Sequence, residues 1–340
     1  MTFPEDLPER AHEGPNEPAF GGGHGGSHAT EWVRVVEDLD RTSEASARSA
    51  FDRGEDAGAR LFLLEPLRGF ARGLCSRGAG RFGRAVVGGY AAVVHAMKLW
   101  ELDRRWREMR VVELRRGRSL ALVERPWRRA VSSILDGDLR GQRIEGGRGG
   151  TTRKATDRGP VVIRVYRRGG AMRWLGRTYF GPRARPLREF WLLLSARRRS
   201  LPVPEPVAAI VERGRWLGIS YRGVLVMAEA AGAPLWDVLS AGGRRDVLPA
   251  LGRSLRRLHE AGLTHPDLNL RNILVTEDGA GPAFTYVDLD GARLGAAPNV
   301  RTRRRSLQRI RRSARKLDPA GRLVLDEDLG RLERAYWQDD

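Results

Sequence analysis

The stretch from Leu258 to Val275, taken with Val287 to Gly291, constrains this chain more than any other part of it. It reads Leu258-His259-Glu260-Ala261-Gly262-Leu263-Thr264-His265-Pro266-Asp267-Leu268-Asn269-Leu270-Arg271-Asn272-Ile273-Leu274-Val275, and Asp288 stands sixteen residues beyond Asn272. Leu248, Leu251, Leu255 and Leu258 recur at helical spacing just before it. A carboxylate, an amide five residues later and a second carboxylate past a strand hairpin form a set suited to phosphoryl transfer. Such chemistry needs one carboxylate to orient and deprotonate an attacking hydroxyl. It also needs an amide oxygen and another carboxylate to hold Mg²⁺, a hard cation that prefers oxygen, on the phosphates of ATP. Asp267 is therefore the catalytic candidate, Asn272 and Asp288 are the metal candidates, and Asp290 offers a further metal or phosphate contact. Turn caps at Asp267 and Asn272 and a strand end at Asp288 are the plain alternative, which the ordered set of helix, loop, hairpin and second Asp outweighs.

Upstream residues fit the same chemistry. Gly146-Gly147-Arg148-Gly149-Gly150-Thr151-Thr152 lies between expected strands, where Gly147, Gly149, Gly150 and Thr151 would fold over phosphates through backbone N–H groups. Glycine clusters of this kind also serve as plain turns. Val161-Val162-Ile163-Arg164-Val165-Tyr166 reads as a strand after a turn at Asp157-Arg158-Gly159. Leu187 to Ala196 reads as helical and carries Glu189, and Val224 to Met227 reads as a strand leading to Glu229. A hairpin is expected from Val111 to Val123, with its turn at Arg115 to Arg118. Strands dominate first and helices later, so the expected class is α+β with two lobes.

These residues resemble the protein-kinase-like pattern, with His265-Pro266-Asp267 in its H-R-D slot, Asn272 at the required spacing and Asp288-Leu289-Asp290 in its D-F-G slot. In that pattern a strand lysine contacts the phosphates. Here Arg164 stands in its place, paired with Glu189, and Arg binds differently from Lys. Arg167 or Lys154 could contribute instead. Glu229 falls where the linker between lobes contacts adenine through its backbone. Gly149-Gly150-Thr151-Thr152, Ile163 to Gly170, Leu201-Pro202-Val203-Pro204-Glu205-Pro206 and the two acidic motifs narrow the resemblance. They look like the lipopolysaccharide kinase family, over roughly residues 125 to 316. That family implies transfer of the ATP γ-phosphate to a hydroxyl of 3-deoxy-D-manno-octulosonic acid (Kdo) on lipid A, with the enzyme peripheral on the cytoplasmic face of the bacterial inner membrane.

The remainder of the chain divides the molecule. Residues 1–30 are expected to be a flexible tail, 31–107 a helical segment, 108–228 a β-rich N-lobe and 229–340 a helical C-lobe. Met1 to Phe20 is acidic and proline-rich, without the pattern of a cleavable secretion signal, and the single cysteine, Cys75, excludes an intramolecular disulfide framework. From Leu61 to Glu101, large apolar residues alternate with single arginines, which suits a helix lying in a membrane interface. An ordinary helical hairpin with solvated arginines is the alternative. The glycines at 69, 73, 78, 80, 83, 88 and 89 weaken an isolated helix and call for support from lipid or another domain. Pro66-Leu67 with Phe70, and Lys98-Leu99-Trp100-Glu101, are similar to the C-terminal tail of family-2 glycosyltransferases that work on lipopolysaccharide cores. The catalytic domain of those enzymes is missing, so no sugar transfer is expected.

The chain has 61 Lys plus Arg against 42 Asp plus Glu, a net charge of +19. Arg301 to Lys316 holds nine basic residues and no acidic one. An anionic membrane surface and a phosphorylated acceptor such as Kdo–lipid A both suit this charge, as does simple solvation of a basic helix. No nucleic-acid-reading motif accompanies it. Two other readings remain open from sequence: a kinase for a protein or another small molecule, and a membrane-associated pseudokinase scaffold.

Overall fold

The computed structural model describes residues 42–43, 45–51, 65–75, 81–144, 151–166, 178–180, 184–214, 220–242, 246–279 and 281–338. The expected tail at 1–30, the glycines at 147, 149 and 150, and Arg167, Arg168, Arg173 and Arg177 lie outside the described residues. The chain divides at Thr42, and Ser43–Asp340 form the unit that holds every element below.

After helical residues at 45–51 come two further helices, α1 (Glu65–Cys75) and α2 (Arg81–Arg110). They pack so closely that a Cβ on Gly69 would sit 2.4 Å from the Gly88 carbonyl oxygen. The glycines that weaken α2 as an isolated helix thus let α1 approach it. The support that sequence reasoning sought comes, in part, from the neighbouring helix. At its far end α2 is tied to the rest of the unit. Leu99 is buried against Ala47 and Ala50, and the buried Asp103 carboxylate accepts from Arg198 at 2.8 Å and pairs with Arg107 at 2.7 Å.

α2 runs straight into β1 (Val111–Arg116), which turns at Gly117–Arg118 into β2 (Ser119–Glu124). The hairpin is the expected one, with a turn tighter than Arg115 to Arg118, because Arg116 and Ser119 still pair. After the short helix α3 (Ser132–Leu135) come β3 (Gln142–Arg143), β4 (Thr151–Lys154), β5 (Val161–Val165), β6 (Tyr179–Phe180), helix α4 (Arg185–Arg198), β7 (Pro206–Arg213) and β8 (Ser220–Ala228). The eight strands form one sheet of order β1-β2-β7-β8-β5-β4-β3, with β6 beside β8.

The alternation of side chains along each strand separates two cores. Leu122, Ala209 and Leu225 face α4 and join Phe190, Leu193 and Leu194. Their neighbours Val123, Ala208 and Val226 face the other way, against Trp127, Val131 and Ile134.

Past Ala228 the chain leaves this sheet. It continues through β9 (Ala233–Pro234), α5 (Leu235–Ser240), α6 (Val247–Glu260), β10 (Leu263–Thr264), β11 (Ile273–Asp278), β12 (Gly281–Tyr286), β13 (Arg293–Leu294), α7 (Val300–Leu317) and α8 (Asp326–Trp337). Leu248, Leu251, Leu255 and Leu258 are all buried, as their spacing predicts. The fold is α+β, a sheet-rich lobe followed by a helical one.

Candidate active site

The segment carrying Asp267 lies between β10 and β11 and is held by its own side chains. Asn269 caps the turn at Leu270–Asn272, its Oδ1 accepting from the amides of Arg271 and Asn272 at 3.0 and 3.2 Å. Asn269 Nδ2 and Asn272 Nδ2 both donate to the Asp267 carbonyl at 3.0 Å. With its amide nitrogen so engaged, Asn272 keeps Oδ1 as an acceptor. The Asp267 side chain is exposed, and no described residue donates a hydrogen bond to its carboxylate.

β11 and β12 bring the second carboxylate to this place. Ile273 pairs with Tyr286, and one step further the Val287 amide donates to the Asn272 carbonyl at 3.0 Å. Asp288 therefore follows directly beside Asn272, although sixteen residues separate them in the chain. Asp288 adopts φ +59°, a left-handed conformation that Asp tolerates better than most residues. Buried Leu289 fixes the chain behind it.

His265 joins the two segments. Its Nε2 lies 3.0 Å from the Val287 carbonyl and its Nδ1 accepts from the Asp267 amide at 3.2 Å. That pattern specifies the neutral ring protonated on Nε2. Burial likewise holds the His265 pKa below its ordinary value, partly offset by the hydrogen bond to Val287.

Arg164, next to the last residue of β5, reaches both lobes. One guanidinium nitrogen lies 3.2 Å from Glu189 Oε1 on α4 and the other 2.7 Å from Asp288 Oδ1. Glu189 is 4% exposed, and the Tyr166 hydroxyl donates to its other oxygen. Burial pushes the Glu189 carboxyl up, to about 7, while Arg164 and Tyr166 pull it down. Burial also disfavours charge on Arg164, yet Glu189 and Asp288 hold its pKa above the ordinary value. The distances are those of an ion pair, so the charged forms are the ones in place. Thr151 sits opposite Arg164 in the β4–β5 ladder.

The structure connects Asp267, Asn272 and Asp288 through the segments above, joins Asp288 to Arg164 and Glu189, sets Thr151 opposite Arg164, and treats three other candidates differently. Lys154 is turned away, its Nζ bonded to Asp138 Oδ2 at 2.8 Å and to Ser133 Oγ at 3.2 Å. The Glu229 amide already donates to the Pro160 carbonyl at 3.0 Å, and its carboxylate accepts from Arg153 Nε at 2.7 and 2.9 Å. A backbone contact to adenine there would go through the carbonyl. Asp290, read as a further metal contact, points to α4 and pairs with Arg185 at 3.0 Å. Sequence reasoning missed Arg185 and the bond from Tyr166 to Glu189. The four-residue interval from Arg185 to Glu189 was the available sign, since it puts both on one helix face.

The donor set fits MgATP. Among the described residues no group of three or more His, Cys, Asp or Glu side chains forms a metal cage. Mg²⁺ held on a nucleotide needs none, because one or two protein oxygens, waters and phosphates complete its shell. Asn272 Oδ1 and the Asp288 carboxylate are such oxygens, with Arg164 adding positive charge beside them.

Comparison with known proteins identifies the family of the chain. A family model described as the lipopolysaccharide kinase (Kdo/WaaP) family matches residues 140–336. The 3-deoxy-D-manno-octulosonic acid kinase of Xanthomonas campestris pv. campestris (strain B100) is 38% identical over 198 residues, covering 56% of this chain and 77% of its own. The enzyme of that name from Xylella fastidiosa (strain 9a5c) is 36% identical over 200 residues, with the same coverage. The one from Xanthomonas euvesicatoria pv. vesicatoria (strain 85-10) is 35% identical over 232 residues, 65% of this chain and 90% of its own. A solved structure of WaaP in complex with acyl carrier protein aligns at a TM-score of 0.46 and 18% identity, over 65% of this chain and 89% of that one. The family match covers more than half of this chain, which belongs to the lipopolysaccharide kinase (Kdo/WaaP) family, a family of kinases.

Proposed function

We propose that this kinase transfers the γ-phosphate of ATP to a sugar hydroxyl of the lipopolysaccharide inner core, on Kdo attached to lipid A. The convergence of Asp267, Asn272 and Asp288, joined through His265, carries the reading. The exposed Asp267 carboxylate accepts the proton of the acceptor hydroxyl. Asn272 Oδ1 and Asp288 hold Mg²⁺, and Arg164, steadied by Glu189 and Tyr166, contacts the phosphates. Thr151 lies over them, and the Glu229 carbonyl faces the adenine. MgATP, when bound, supplies the phosphoryl group and the cation that offsets its charge.

The enzyme works peripherally at the cytoplasmic face of the inner membrane in this reading. No helix among the described residues is long and apolar enough to cross a membrane. Val86, Tyr90, Val93, Met97 and Trp100 nevertheless stand exposed along one side of α2, with Leu67 on α1. Spacings of four and three keep the α2 residues on one face, and such a stripe suits the lipid interface. The exposed arginines of α7, among them Arg304, Arg305 and Arg312, add attraction to anionic headgroups.

Mass spectrometry of Kdo–lipid A incubated with the purified protein and MgATP tests the reading, and a gain of one phosphoryl group is expected. Asp267→Ala and Asp288→Ala should each lower that turnover by about a thousandfold or more while leaving the fold intact. Full activity in either variant would remove the assignment. Arg164 touching Asp288 at 2.7 Å favours a second reading, a scaffold that binds MgATP without turnover. Nucleotide binding with no product on lipid or protein acceptors would support it.

A further inference from the structure

We infer that Arg185 and Asp290 are positioning residues, a second tie that makes α4 and the metal loop a single unit. The inference rests on the functional reading above and deepens it. Arg185 and Glu189 lie one helical turn apart on the same face of α4. Both engage the run Asp288-Leu289-Asp290. Glu189 reaches Asp288 through Arg164, at 3.2 and 2.7 Å, and Arg185 reaches Asp290 directly at 3.0 Å. A cavity of about 60 Å³ lies between helix and loop beside these two connections, lined by Arg185, Arg188, Glu189 and Leu192 on the helix and by residues 289–292 on the loop.

Three contacts keep the Arg185 end from behaving as a loose surface arm. Its backbone amide donates to the Tyr221 hydroxyl at 3.2 Å. Its guanidinium lies 5.5 Å from the centre of the Tyr179 ring, which stacks on Tyr221. The next residue, Pro186, presses on β8 where only a glycine fits, since a Cβ on Gly223 would come 2.4 Å from Pro186 Cγ. The start of α4 is therefore set by the sheet.

The loop end also has room for the acid. The left-handed conformations fall on Asp288 and Gly291, so the backbone asks nothing of residue 290. The acidic side chain there is spent on Arg185. Each tie places the loop against the helix, and with both made, Arg164 is delivered to Asp288 in one register. An isolated, partly exposed ion pair contributes little to stability, so the consequence is sought in loop order and turnover.

Hydrogen exchange and steady-state kinetics on the full chain test this, using Arg185→Ala, Asp290→Asn and the charge-swapped double variant R185D/D290R. The Ala292 amide, bonded to the Leu289 carbonyl, should exchange about tenfold faster in each single variant, with α8 unchanged. Turnover should fall about 10- to 100-fold with KM for ATP within about threefold, the signature of a group acting on geometry. The double variant should regain about tenfold of the loss and part of the protection, because partners in one ion pair are not additive. Unchanged exchange in the single variants overturns the tie. So does altered exchange with unchanged turnover, or a double variant no better than the singles. If the wild type phosphorylates no lipid acceptor, the functional reading fails on its own, and exchange at Ala292 decides the tie without it.

Discussion

His259 shows how a residue just before the candidate site serves the core. It lies six positions before His265 and is wholly buried. Its Nδ1 sits 2.7 Å from the Tyr336 hydroxyl, and Nε2 has no partner among the described residues. Burial, with Arg303 nearby, lowers its pKa to about 4. The folded state therefore binds fewer protons than the unfolded state between about pH 4 and the ordinary value near 6.5. Stability from this site is complete above that window and declines as pH falls through it, by on the order of 3 kcal/mol. Chemical denaturation at pH 7 and pH 4 should show the wild type losing about that much more than His259→Gln. Parallel losses would show that the ring is not excluded from protonation in the fold. At this scale, Asp267, Asn272 and Asp288 could be picked out as candidates because each belongs to a short motif with a chemical reason for its spacing. Tyr166 with Glu189 and Arg185 with Asp290 could not, because each pair joins separate elements and depends on how α4 lies across the sheet.

At the scale of elements, α1 and α2 set two effects against each other. Replacing a helical glycine by a larger residue ordinarily gains up to about 1 kcal/mol from helix propensity. At Gly88, however, a Cβ would approach the Gly69 carbonyl oxygen to 2.8 Å, and forced overpacking costs about 1–3 kcal/mol. Packing should win, so Gly88→Val lowers the unfolding free energy by about 1–2 kcal/mol, read by denaturant titration. A more stable Gly88→Val protein would mean that the helices do not approach this closely. The same contact explains why the sequence misdirected the reading of these glycines. Propensity reports on a helix alone, and the close approach exists only in the pair. The strands β1, β2, β5 and β8 and helix α6 were legible from sequence and β7 was not, whereas β6, β9 and β13 have two residues each, too few to carry any period.

For the molecule as a whole, the family match begins at residue 140, while α1, α2, β1 and β2 precede it. Those earlier elements are nonetheless built into the same unit, through the β2–β7 ladder and the buried Asp103–Arg198 pair. If the α2 stripe meets lipid, Met97→Asp with Trp100→Glu should weaken binding to vesicles containing anionic lipid by about tenfold or more in a sedimentation assay. Raising salt should weaken the remainder through the α7 arginines. Vesicle binding that the double substitution leaves unchanged would remove the interfacial role, and turnover of a detergent-dispersed acceptor should survive the substitution in either case. That two lobes exist was legible from the order of strands and helices. The attachment of α2 to α4 was not, because it depends on a buried carboxylate ninety-five positions from its arginine.

The hairpin of β11 and β12 has a consequence for how such sites vary. Its open end, where Ile273 faces Tyr286 and Val287 bonds to Asn272, is what sets the two candidate oxygen donors side by side. Its closed end at residues 278–281 is remote from them. Lengthening both strands equally at that tip would leave the donors where they are. The linear interval between amide and carboxylate is thus free to drift, whereas a one-residue slip of either strand would turn every side chain over and abolish the pair.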